Sequence, residues 1–179
     1  MATSDDADSG AAPVSVRSAW SALVLAGLLF VVDGIIFNQG VIAALVGLGL
    51  ILVGLPRTFL AKKYRNVRPQ RLRNLAIYMA AVVLVLVFNW LNNRLARSRA
   101  EQLIVAVEAF HAKNARYPAR LSELVPEYID RVPVAKYVLS GNFFYSSGGG
   151  KDPFLFYVDV PPFGRPTYSF ARKEWSYLD

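Results

Sequence analysis

Three apolar runs joined by short links constrain this chain more than any other feature. The first extends from Trp20 to Phe37 and carries one charge, Asp33. The second, Val41 to Leu55, and the third, Leu75 to Leu91, carry none. As helices, runs of about 15–18 residues span roughly 23–27 Å, slightly short of a ~30 Å hydrocarbon core, so flanking residues or a thinned bilayer complete the crossing. Asn38-Gln39-Gly40 has room only for a tight hairpin, which makes the first two runs an antiparallel pair. Packed as helices of a soluble protein, the three runs would leave residues 1–90 with almost no polar face. The mean hydropathy of +0.32 over the whole chain agrees with membrane segments plus one small globular domain. The fold expected is three transmembrane helices over residues 19–91 and a small α+β domain over 92–179.

Orientation follows from the link between the second and third runs. Residues 56–74 hold Arg57, Lys62, Lys63, Arg65, Arg68, Arg71 and Arg73 and no acid, which matches the whole formal net charge of +7. Such a loop is expected on the cytoplasmic side, touching anionic lipid. The N-terminus is then cytoplasmic as well, and residues after 91 lie outside. The same basic stripe could suit nucleic acid, but its place between two spans favours lipid, and no nucleic-acid partner is expected. Residues 1–18 are small and polar, with Asp5, Asp6 and Asp8 against Arg17. They read as a disordered tail, and the acidic start lacks the basic region of a signal peptide.

Each span carries small residues at helical spacing: Ala22 and Ala26, Ala76 and Ala80, and in the second span Gly40, Ala43, Gly47 and Gly54. Small faces let helices approach closely in lipid, either within this bundle or between copies or partners. The oligomeric state is not legible. Asp33 sits near the outer end of its span, where the cost of a charge falls, and Arg94 is a partner at a similar level. An intramembrane acid also marks ion paths. An oligomeric transport or channel subunit using Asp33 is therefore the alternative function.

Beyond Leu91 the pattern stays helical. Leu103, Ile104, Val107 and Phe110 make one apolar stripe, and Asn114 with Tyr117-Pro118 stops it, so one helix is expected over roughly 75–113. A short helix is expected at 119–125. The period then changes to two, with strand candidates at Tyr137–Leu139, Phe143–Tyr145, Phe154–Val160 and Tyr168–Phe170. An antiparallel meander of three or four strands, covered on one face by the long helix, is the result.

Ala100-Glu101-Gln102-Leu103 through Phe110, then Arg116-Tyr117-Pro118-Ala119-Arg120-Leu121-Ser122-Glu123-Leu124-Val125-Pro126, then a Val-Pro and aromatic strands, resembles type II secretion major pseudopilins and type IV pilins. The resemblance covers about residues 75–179. It implies a pilin-like fold, a bacterial inner membrane and a periplasmic domain. No leader-cleavage site precedes the third span at Arg71-Leu72-Arg73-Asn74, and the span holds no glutamate. The stretch Ser147–Asp152 has one acid, too few for a calcium loop. The resemblance therefore implies a pilin-type domain kept in the membrane rather than a filament subunit.

The absence of cysteine excludes disulfides and thiolate chemistry, and the single histidine, His111, excludes multi-histidine metal sites. Gly148-Gly149-Gly150-Lys151 lacks the first glycine and the Ser/Thr of a phosphate loop. No catalytic, cofactor or metal site is expected. The function expected is non-enzymatic: a membrane-anchored assembly or scaffold component whose outer domain meets a membrane or periplasmic protein.

Overall fold

The computed structural model describes residues 18–139, 141–150, 152–160 and 164–178. Apart from Ser18, the expected N-terminal tail lies outside them. Ser18 begins the first helix by accepting a hydrogen bond from the Ser21 N–H at 3.2 Å.

Helix α1 spans Ala19–Ile36 and α2 spans Val41–Leu60. Both change to π-winding part-way, α1 over Phe30–Ile36 and α2 over Leu50–Gly54. Helix α3 spans Arg68–Asn114, 47 residues, or about 70 Å. The stretches Ala19–Ile36, Val41–Leu60 and Lys62–Asn114 are each long and apolar enough to cross a membrane. The basic segment 56–74, expected as a loop, is almost wholly helical. Ala61 is extended, Lys62–Val67 forms a 3-10 turn, and α3 starts at Arg68, earlier than expected, with Pro69 in its first turn. A proline there lacks an N–H that the helix would leave unpaired in any case.

Helices α1 and α2 both pack on α3. The buried positions of α3 recur every three or four residues: Val82, Val85, Asn89, Asn92, Ala96, Ala100, Leu103, Val107, Phe110. This single seam takes the helical hairpin along its first half and the globular domain along its second. Ala22, Ala26, Ala43 and Gly47 are buried against it, whereas Ala76 and Ala80 are exposed because they lie off the seam.

The domain has four antiparallel strands in the order β1-β2-β3-β4: β1 Phe144–Ser146, β2 Phe154–Phe156, β3 Arg165–Ser169 and β4 Glu174–Leu178. A row in register, Tyr145–Leu155–Tyr168–Trp175, faces α3 and closes the core over Leu103, Val107, Phe110 and Leu124. Fully burying each of these large apolar side chains contributes about 1.5–3 kcal/mol. The short helix appears as one 3-10 turn, Leu121–Leu124, whose start is held by the Glu123 carboxylate accepting from the Ala119 and Arg120 N–H groups.

Two strand expectations are corrected. Residues 137–139 form a turn, because the Tyr137 N–H is drawn to α3 and Gly141 closes the loop. The strand expected over 154–160 ends at Phe156; beyond it the Asp159 N–H bonds the Gly164 carbonyl at 2.8 Å rather than a neighbouring strand's ladder. Strand β4 was not expected as a strand at all.

Candidate functional site

At the basic end, Arg57, Lys62, Lys63, Arg65 and Arg73 are exposed. The other two cations turn inward. Arg68 donates to the Phe59 carbonyl at 3.0 Å, and Arg71 donates to Thr58 Oγ1 at 3.4 Å while lying 3.7 Å from the Tyr64 ring centre. Five of the seven expected lipid-contact residues therefore face outward, and two hold the α2–α3 connection together.

Gly40, Gly47 and Gly54 lie against α3, whereas Gly49 faces open space. A Cβ at Gly40 would come 3.0 Å from Asn89 Nδ2, at Gly47 3.0 Å from Val82 Cγ1, and at Gly54 3.1 Å from Leu75 Cδ1. Ala43 is fully buried in the same seam. Larger side chains at these positions would push the helices apart.

Asp33 is fully buried, and its partner is not Arg94. Its Oδ1 accepts from the Gly40 N–H at 3.2 Å and its Oδ2 from the Ala43 N–H at 2.7 Å. Across the hairpin it caps the first turn of α2, satisfying donors that the helix itself leaves open. Arg94 is exposed and lies 4.9 Å from the Trp90 ring centre. The link between α1 and α2 needs Asn38 and Gly40 at φ 50° and 72°, conformations these two residue types adopt readily.

Further along the seam, Asn38, Asn89 and Asn92 are buried. Among the described residues, neither amide atom of Asn38 or Asn89 finds a hydrogen-bond partner. The Asn92 Oδ1 accepts from the Tyr137 N–H at 3.2 Å, which ties the globular domain to the end of the hairpin. The strap around Tyr137 is held at several further points. Arg99 donates to the Val134 carbonyl at 2.8 Å and to the Tyr137 hydroxyl. The Lys136 N–H donates to the Gly141 carbonyl at 3.0 Å, and a Cβ at Gly141 would meet the Lys136 carbonyl at 2.1 Å.

The Lys136 ammonium is buried, donates to the Asp159 carbonyl and sits 3.7 Å from the Asp159 carboxylate. Burial lowers its pKa to about 8, with Asp159 opposing the shift. The Tyr177 hydroxyl donates to the same carboxylate at 2.8 Å. Burial also raises the nearby Tyr157 phenol to about 12. This network carried no sequence signal, because one lysine between Pro133 and Gly141 has neither a period nor a motif.

The outward face of the sheet is aromatic. Phe144 and Phe156 stack at 4.8 Å between ring centres, and Phe154 continues the ladder at 6.2 Å. Phe144 is about half exposed, at 47%. The period-two alternation of Phe154 and Phe156 was legible; which face would be covered was not. On another side, a groove of about 740 Å³ runs between α3 and residues 128–133, lined by Glu101, Gln102, Val105, Ile129, Asp130 and Arg131. His111 stacks on Tyr117 at 4.0 Å between ring centres, and Glu101 pairs with Arg97 at 3.0 Å. Among the described residues, no group of three or more His, Cys, Asp and Glu side chains could hold a metal ion. Lys151 of the glycine-rich turn lies outside the described residues.

No family model, curated protein or solved structure matches the chain.

Proposed function

We propose that this protein is a non-enzymatic, membrane-anchored assembly or scaffold component of a bacterial inner membrane. The N-terminus and basic segment face the cytoplasm, and residues 92–179 form a pseudopilin-like domain in the periplasm. The observation that carries this reading is the Phe144–Phe156–Phe154 ladder, presented outward on a sheet whose core is the continuation of a membrane-length helix. An aromatic face left open on a small domain is a surface suited to a protein partner. Five exposed cations at the opposite end support the orientation, each worth about 1 kcal/mol near an anionic leaflet. The order of a long helix, a short turn of helix and an antiparallel meander supports the pilin-like resemblance.

Paired topology reporters at residue 179 and within 56–74 test the orientation. A photo-crosslinking residue at Phe144 in intact cells tests the partner face. A discrete adduct that disappears with Phe156→Ser is expected. No adduct at Phe144, or the same adduct from the exposed Lys173, would remove the reading.

A further inference from the structure

We infer that the turn around Tyr137–Leu139 is a foot that rests in the headgroup region of the outer leaflet, seating the globular domain on the bilayer. The inference rests on the membrane reading above. Its first support is level. The Tyr137 N–H reaches Asn92, one residue past the last apolar residue of the third run, while Val134 is held by Arg99, seven residues or about 10 Å further along α3. The strap therefore descends along the helix toward the lipid-facing segment, and at Tyr137 its backbone has reached the level where that segment ends.

The second support is the chemistry of the tip. Leu139 is 73% exposed and Tyr137 61%, although the loop is closed at Lys136–Gly141 and pinned behind by Lys136 on Asp159. An anchored loop that keeps a leucine bare in water gains nothing from it; the same leucine gains on entering an interface. The Tyr137 hydroxyl accepts from Arg99, whose guanidinium also lies 4.6 Å from the ring centre, so the polar end of the side chain is held on the side away from the apolar segment.

The third support is continuity. Around the same level Phe37 and Trp90 are about half exposed, and the exposed Arg94 lies over Trp90. Aromatic rings with an arginine beside them form the belt found where lipid meets water, and an arginine there reaches lipid phosphate. The hairpin link and the strap both lie on the buried seam of α3, at Asn89 and Asn92. The foot thus extends an apolar rim already laid down by the helices.

The chain has no cysteine, so single cysteines can be labelled cleanly. Three full-length variants, Leu86→Cys, Val105→Cys and Leu139→Cys, would carry bimane in vesicles of phosphatidylcholine and phosphatidylglycerol. Each is read against lipid brominated near the headgroup and against aqueous iodide. Leu86 is on the apolar segment and Val105 is 70% exposed well beyond it. The expected result is lipid quenching at positions 86 and 139, and an iodide quenching constant at 139 several-fold below that at 105. If 139 behaves like 105 while 86 is quenched by lipid, the foot is wrong and the membrane reading stands. If 139 is shielded from iodide without lipid quenching, a protein covers the turn and the foot is wrong. If 86 is not quenched by lipid, both readings fall.

Discussion

Replacing Asp33 by alanine separates a structural acid from a transporting one. The carboxylate accepts two backbone N–H bonds at 3.2 and 2.7 Å, and both donor residues, Gly40 and Ala43, are buried. The substitution removes a buried charge, which by itself helps. It also leaves two buried donors unpaired at the start of α2, at about 1–3 kcal/mol each. The donors decide the sign, giving a loss of about 2–6 kcal/mol. Asp33→Asn keeps one amide oxygen for one donor and turns an NH₂ toward the other, so its loss should be smaller. Unfolding of the purified protein by sodium dodecyl sulfate in mixed micelles measures both variants. The stability order parent, Asp33→Asn, Asp33→Ala is expected. Unchanged stability in Asp33→Ala would refute the capping argument. A fully stable Asp33→Asn that abolishes an ion flux carried by the parent in vesicles would return the acid to a transport role.

Four further outcomes are expected. Lys136 is neutral in the folded domain above pH about 8 but keeps its proton when unfolded until about pH 10.4, so stability rises with pH across that window, and Lys136→Met should abolish the rise in chemical-denaturation midpoints followed by tryptophan fluorescence. Tyr145 and Tyr157, pushed up to about 12, have the opposite sign: above about pH 10 the unfolded phenols ionise first and stability falls. Gly141→Ala, with its Cβ 2.1 Å from the Lys136 carbonyl, should open the strap at a cost of about 1–3 kcal/mol and speed amide exchange over residues 134–139. Replacing Arg57, Lys62, Lys63, Arg65 and Arg73 by glutamine should remove most orientation bias in reporter fusions, whereas Arg68→Gln and Arg71→Gln should mainly loosen the α2–α3 connection.

The three long apolar helices were legible because they rest on composition alone, and the amphipathic half of α3 because Leu103, Val107 and Phe110 repeat at helical spacing. The clamp on Asp33 was hidden for a specific reason. Its partners are backbone N–H groups seven and ten residues away across a turn, and backbone donors leave no trace in residue identity. Charge pairing pointed to Arg94 instead. Strand β4 was missed because its turn uses Lys173 at φ 56° where a glycine would have announced it. Tyr137 and Leu139 alternated as a strand would, but their backbone is claimed by Asn92 and by the loop closure at Gly141. The outward phenylalanines were visible as residues; that Phe144 is exposed and Phe154 and Phe156 half-buried depended on Leu155 and Tyr157 taking the core face.

Helix α3 has no glycine, and its one proline stands at its start. It therefore lacks the usual points at which a long helix kinks. If its first half spans a bilayer as proposed, α3 would act as a lever pivoting near Leu91. The roughly 23 residues beyond that point extend about 35 Å, so a 20° tilt of the span carries the far end about 12 Å sideways. Apolar spans tilt to match local bilayer thickness. The thickness of the lipid under this protein would thereby set how far from its axis the distal end sweeps, and hence which neighbours it can reach.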